Sequence, residues 1–251
     1  MTERLEALHG SVERLRTVVD GLDAEALATQ AYPTEWTVAD VLSHLGSGAV
    51  ILRRRLEDTL AGVDTPDDAA PAVWDVWNAK TPVAQAADAV VADRALLDHL
   101  ETLGDEDRER FRFAMGPMTF DFDGFVGLRL NEHALHLWDI EAALDPAATV
   151  APGSVPSVVD NMAMWARFTA QAVDAPRSIT VGTTDPERSF VLVLGPDEVS
   201  ISPSDPVDDP DVVLPAEALI RLVYGRLDPD HTPQVGGTAD LDELRRVFPG
   251  A

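Results

Sequence analysis

Four long stretches of this chain repeat their apolar residues at helical spacing, and the repeat gives way at a proline-bearing break near residue 150. The first covers 3–20, where Leu5, Leu8, Val12, Leu15 and Val19 recur on one face. The second covers about 38–60; Thr37 is placed as its N-cap and Asp40 as its third residue, a variant of the capping box. The third covers 81–103, with Val83, Ala87, Val90, Leu97 and Leu100 on one side. The fourth covers about 121–144 and contains Gly124 and Gly127. Each glycine costs a helix up to about 1 kcal/mol against alanine, so the pair implies close helix packing or a later helix start. The segments between these helices, around Tyr32-Pro33, over 64–72 and over 104–119, read as loops. Four amphipathic helices of this length predict an up-and-down four-helix bundle.

The break itself, 145–156, holds three prolines and a glycine and little charge. Beyond it the period changes. A helix is expected over 157–172. Apolar, strand-like runs follow over 178–183 and 189–194, separated by a turn, with shorter strand candidates at 199–201 and 212–214. Helices are expected over 215–226 and 240–248. Gly236-Gly237 reads as a turn. The chain is therefore predicted to be an α+β two-domain protein: a four-helix bundle over 1–146, a linker over 147–156, and a small α+β domain with a mainly antiparallel sheet over 157–251.

Charge narrows the choice of partners. The chain carries 44 acidic residues against 19 Lys plus Arg, a net charge of −25, and both halves are acidic. Nucleic acid and anionic membrane both require clustered positive charge, so neither is an expected partner. A small anionic substrate would need local arginines against this field. The chain contains no cysteine, which excludes disulfides, thiolate ligands and a cysteine nucleophile. Thiol chemistry would need an external thiol. The start, MTERLEALHG, is charged and amphipathic, unlike a signal peptide, and no apolar run is long enough to span a bilayer. The expected location is the cytoplasm, as a monomer or homodimer.

Of the six histidines, three stand at telling positions. Glu132 and His136 are four apart and project from one face of the fourth helix. His44 stands near the start of the second. In a bundle, an imidazole from one helix and a carboxylate–imidazole pair from another can converge on one point. Two nitrogens and an oxygen suit Zn²⁺ or a similar divalent ion, and three protein ligands leave a position open for a reactant. Asp40, four before His44, and Asp139, three after His136, are both placed to orient an imidazole. His133 is a rival ligand, although it points about 100° away from Glu132. Spacing alone also fits a surface Glu–His pair and a core histidine, and Trp36 and Trp138 read as core.

The same residues carry a family resemblance. The run Trp36-Thr37-Val38-Ala39-Asp40-Val41-Leu42-Ser43-His44-Leu45 resembles the N-terminal signature of the mycothiol-dependent maleylpyruvate isomerase family, within the wider DinB-like four-helix metalloproteins. Asn131-Glu132-His133-Ala134-Leu135-His136-Leu137-Trp138-Asp139 resembles its second signature. The tail from Val235-Gly236-Gly237 to Val247-Phe248-Pro249-Gly250 is similar to the end of its sterol-carrier-like C-terminal domain.

The resemblance implies His44, Glu132 and His136 as ligands of a divalent metal, usually zinc. It also implies mycothiol as thiol cosubstrate and an actinobacterial source. It implies an arginine of the C-terminal domain facing an anionic electrophile; Arg226 is the candidate and Arg221 the second choice, each otherwise a solvated helix residue. Arg53, Arg54 and Arg55, about three turns beyond His44, are expected at the surface.

The activity implied is thiolate addition to the cis double bond of maleylpyruvate, bond rotation and loss of the thiol to give fumarylpyruvate. Two other functions stay open. One is a thiol transferase acting on a xenobiotic or biosynthetic intermediate, and the other a non-catalytic ligand-binding protein.

Overall fold

The computed structural model describes residues 2–250 and divides them into two compact units, Met1–Ala148 and Thr149–Ala251. In the first, the four periodic stretches form α1 (Glu3–Asp20), α3 (Val38–Ala61), α5 (Pro82–Thr102) and α7 (Phe122–Leu144). Each begins at a side-chain cap: Thr2, Thr37, Thr81 and Asp121 accept from backbone N–H groups of the first turn, which have no partner within the helix. At Thr37 the capping box is complete. Asp40 N–H donates to Thr37 Oγ1 at 3.2 Å, and Thr37 N–H donates to Asp40 Oδ2 at 2.9 Å. The helices pack in a ring, α1 against α5 and α7, and α3 against the same two.

Sixteen of the twenty-three residues of α7 are buried, so it is enclosed around most of its circumference. It begins at Phe122, without a delayed start. The glycines therefore mark close packing: a Cβ on Gly127 would lie 3.1 Å from Arg4 Nη1.

Several short elements occupy stretches expected as loops: α2 (Ala24–Ala28), α4 (Ala69–Asn78), α6 (Asp105–Arg110) and a hairpin, β1 (Phe113–Met115) and β2 (Met118–Phe120), which turns at Gly116 with φ 58°. The predicted face of α5 is also corrected. Val83 is 61% exposed, and the buried stripe is Gln85, Ala86, Ala89, Asp93, Leu96, Leu97 and Leu100. Two of its members are polar residues with buried partners: Gln85 Nε2 donates to the Trp77 carbonyl at 3.4 Å, and Asp93 pairs with Arg129. A hydrophobic pattern cannot reveal such a face.

In the second unit the helix expected over 157–172 is two helices, α8 (Val155–Asn161) and α9 (Ala163–Thr169), parted at Met162. The first starts inside the expected linker because Pro156 stands in its first turn, where a fixed φ and a missing N–H favour helix. Five strands follow: β3 (Arg177–Thr184), β4 (Arg188–Leu194), β5 (Ser200–Pro203), β6 (Val212–Pro215) and β7 (Gly236–Gly237), in spatial order β5-β4-β3-β6-β7. Only β3 and β6 pair in parallel; the other three pairings are antiparallel. Gly236-Gly237 is thus an edge strand on β6, not only a turn. Helices α10 (Ala216–Val223) and α11 (Leu241–Val247) complete the unit, and every residue of α10 is buried. Among the described residues no helix is long and apolar enough to cross a membrane.

Candidate metal centre

The capping box fixes where α3 starts, and His44 follows one and a half turns into the helix. From α7, Glu132 and His136 project on one face toward it. His44 Nε2 stands 3.2 Å from Glu132 Oε2, and His136 Nε2 stands 3.7 Å from the same oxygen. The two imidazole centroids are 4.5 Å apart, and one ligand atom from each of the three residues lies within 4.8 Å of the others. The side chains are 38% (His44), 52% (Glu132) and 14% (His136) exposed, so the group opens outward.

Behind His136, its Nδ1 meets Asp139 Oδ2 at 2.8 Å, and Asp139 is fully buried. A carboxylate can only accept, which puts the ring proton on Nδ1 and leaves the Nε2 lone pair toward Glu132. Asp139 is thus the orienting carboxylate. Asp40 is not: its Oδ2 accepts from the Thr37 N–H and hydroxyl, so it serves the start of α3.

Trp36, expected in the core, is half-buried at the site. Its ring stacks on His136 at 5.9 Å and tilts against His44 at 5.2 Å. Trp138 is fully buried, with Nε1 donating to the Ala148 carbonyl at 2.9 Å.

Crowding by protein atoms would raise the pKa of Glu132. The hydrogen bond from His44 and the charges of His136, His44 and Arg129 outweigh that and bring it down to about 2. The donor set of two imidazole nitrogens and one ionised carboxylate, with an orienting carboxylate behind one imidazole, fits a divalent cation.

His133, the rival ligand, faces the interior. Its Nδ1 meets Ser11 Oγ at 2.8 Å, and its Nε2 lies 3.4 Å from Asp93 Oδ2. Asp93 also takes Arg129 Nη2, which donates as well to the Leu45 carbonyl at 2.9 Å. Ser11, Asp93, Arg129 and His133 are each at most 2% exposed. They come from α1, α5 and α7, and the Leu45 contact adds α3. Burial would push Asp93 up; the charges of Arg129 and His133, with their hydrogen bonds, hold its carboxyl below the usual value. No sequence motif marks this cluster. Arg129 is the one arginine of α7, but Asp93 is one of three aspartates of α5, so residue type alone does not single it out.

In the second unit, Arg226 follows Gly225, whose φ of 68° forms the turn after α10; a Cβ there would come within 2.2 Å of Gly250 backbone. Arg226 is half-buried, and its Nη1 donates to the Tyr224 carbonyl at 3.0 Å. Arg221 is not on a solvated face. It is 2% exposed, clasps Glu217 through two nitrogens at 2.7 and 2.8 Å, and donates to the His231 carbonyl.

Comparison with known proteins agrees with this layout. Residues 8–141 match the family model for the mycothiol maleylpyruvate isomerase N-terminal domain, and residues 141–246 match the corresponding C-terminal domain model. Among curated proteins no match is found. Among solved structures, the crystal structure of a mycothiol-dependent maleylpyruvate isomerase is similar at a TM-score of 0.63 and 15% identity, over 90% of this chain and 90% of that one. A histidine-to-alanine mutant of that enzyme is similar to the same degree, with 89% of its chain covered. At this identity the structures support the fold alone, but the two domain models together span most of the sequence. The chain belongs to the mycothiol-dependent maleylpyruvate isomerase family.

Proposed function

We propose that this protein is a mycothiol-dependent metalloenzyme in which His44, Glu132 and His136 hold one divalent ion, with zinc the best fit to the donor set. The observation that carries this is the convergence of three ligand atoms from two helices to within 4.8 Å of one another, with an outward opening. A bound divalent ion supplies Lewis acidity that favours the thiolate form of a coordinated thiol.

The chain's own residues do the rest. Asp139 fixes the tautomer and plane of His136. Glu132 stays ionised across the physiological range. Trp36 flanks the two imidazoles with its ring. Arg226 is assigned to pair with a carboxylate of the electrophile. The thiolate adds to the cis double bond of maleylpyruvate or a similar compound; the resulting single bond rotates, the thiol leaves, and the trans isomer results. A family reading, together with the absence of cysteine in the chain, supports an external thiol. The alternative reaction on the same site is transfer, in which the thiol stays on the electrophile. The proposed setting is the cytoplasm.

Elemental analysis of purified protein tests the ligand set. We expect about one equivalent of metal in the unaltered chain and its loss in His44→Ala and in His136→Ala; full occupancy in either variant overturns the assignment. Incubation with maleylpyruvate and thiol then separates the reactions, since an isomerase returns the free thiol and a transferase consumes it.

A further inference from the structure

A cleft of about 1190 Å³ in the first unit takes no part in the site above. Its walls are the second half of α3, the loop from Gly62 to α4, and the β1–β2 hairpin. Three arginines line it: Arg54, Arg55 and Arg112. In a chain with more than twice as many acids as bases, an arginine ordinarily meets a carboxylate. Arg54 does, through Nε to both oxygens of Asp58 at 2.8 and 2.7 Å. Arg55 lies over the Phe113 ring at 5.9 Å, and Arg112 donates to the Glu109 and Phe111 carbonyls. Among the described residues neither of these two is ion-paired with a carboxylate, although Asp64 and Asp67 line the same cleft, so two guanidiniums there are open to a further anion. Arg54 is exposed and Arg55 half-buried, and at that surface the two border a cleft.

The lining also holds apolar side chains, Val50, Ile51, Val73 and Phe113. The two acids of the lining, Asp64 and Asp67, are exposed to solvent, as is Arg112, whereas Arg55 is half-buried. Guanidiniums beside apolar side chains suit a carboxylate on an apolar body better than a bare inorganic anion, which has nothing to place against Val50, Ile51, Val73 and Phe113, or a polyol, which gains little from the two arginines. Position on α3 ties the cleft to the metal centre. Ile51 and Arg55 stand seven and eleven residues after His44, within about 20° of its direction, and Arg55 is about 16 Å farther along the axis. A ligand that touches both ends lies lengthwise on this face of α3.

We propose that the cleft receives the carboxylate end of an elongated acid with an apolar body, and that this acid is the electrophile of the thiol reaction; the second part rests on the function proposed above. The electrophile is then longer than maleylpyruvate, and Arg55 and Arg112 select it by its charged end.

Titration of the metal-loaded full chain with 4-phenylbutyrate and with its neutral amide tests the cleft, read by NMR shifts or calorimetry. The acid is expected to bind about tenfold more tightly than the amide, as a charge-assisted hydrogen bond implies. Arg55→Gln should erase that preference and Arg55→Lys should keep part of it. Since Arg55 also packs on Phe113, Arg112→Gln provides a second variant and circular dichroism checks folding. Equal binding of acid and amide, or an undiminished preference in folded Arg55→Gln and Arg112→Gln, overturns the cleft. His44→Ala should still bind the acid, which separates this result from failure of the metal reading.

The electrophile assignment has its own readout. With an elongated unsaturated acid and its amide, kcat/KM should differ about tenfold in the unaltered enzyme and converge in Arg55→Gln. The same ratio in both enzymes, or no thiol-dependent turnover at all, removes the electrophile assignment.

Discussion

Glu132 and His133 are neighbours on α7, yet they belong to two different chemical environments. Glu132 points outward to His44 and His136, half exposed, in a group whose remaining coordination space is open. His133, about 100° around the helix, joins Ser11, Asp93 and Arg129 in a cluster closed to water. Both hold an acid and an imidazole, but the inner one adds Arg129 and Ser11 and is closed to solvent. Outside, the pairings leave lone pairs that a cation can take. Inside, the charges are neutralised by one another, and the bonds run between helices, so the cluster fixes the relative placement of the helices that carry the outer ligands. Arg129 ties the two directly, since it bonds to Leu45, the residue after His44, and its charge also acts on Glu132.

If that division holds, the largest effect on stability comes from the inner cluster. Asp93→Asn leaves Arg129 as a buried cation without its carboxylate, and removing one partner of such a pair costs about 3–5 kcal/mol. Urea unfolding of the metal-free protein reads this directly. A double change, Asp93→Leu with Arg129→Met, should recover most of the loss, because an apolar pair of similar volume carries no desolvation penalty. A loss in Asp93→Asn within the ordinary surface range, about 0.5 kcal/mol, would show that the cluster does not hold the bundle together.

The next effect in size sits at the boundary between the two regions. Asp139 is fully buried but acts on an open ligand through His136 Nδ1. Asp139→Asn keeps the shape and weakens the acceptor, so metal affinity should fall about 10–100-fold, the range for such orienting carboxylates. Asp40→Asn is the control, since Asp40 is engaged with Thr37 at the helix start. Competition with a chelator of known affinity measures both. Equal losses in the two variants would return Asp40 to the role that its spacing suggested.

That pair of aspartates shows what a sequence discloses. Helical period and capping residues placed the four bundle helices closely, because their apolar faces and start signals are local. The convergence of His44, Glu132 and His136 was legible because Glu132 and His136 share a helix face and His44 lies in a resembling motif. Asp40 and Asp139 are each one turn from a histidine, but the capping box read at Thr37 already gave Asp40 a nearer partner, and the structure keeps it there. The inner cluster was invisible, as Asp93 and Arg129 are 36 residues apart and pair only after α5 meets α7. On α5 the apolar period held at Leu97 and Leu100 but misled at Val83 and Ala87, which are exposed while Gln85 and Asp93 are buried.

The smallest effect is the acid response of the outer carboxylate, and its sign follows from the shift. Glu132 has a folded pKa of about 2 against an ordinary 4.5, so its ionised form favours the folded state. That contribution is complete above about pH 4.5 and is lost as pH falls toward 2. Glu132→Gln should therefore flatten the stability–pH curve of the metal-free protein in that window, lying below the unaltered protein near neutrality and converging with it as pH falls toward 2. The change is modest because the side chain is half exposed and its partners are screened by solvent. Asp93 is depressed too, but its partners are buried, so its acid response should be part of global unfolding, not a local change. A Glu132→Gln curve parallel to that of the unaltered protein throughout the acid range would mean that the outer carboxylate gains nothing from its imidazoles before a cation arrives. The ligand group would then be organised by the metal alone, with only Asp139 preparing it in advance.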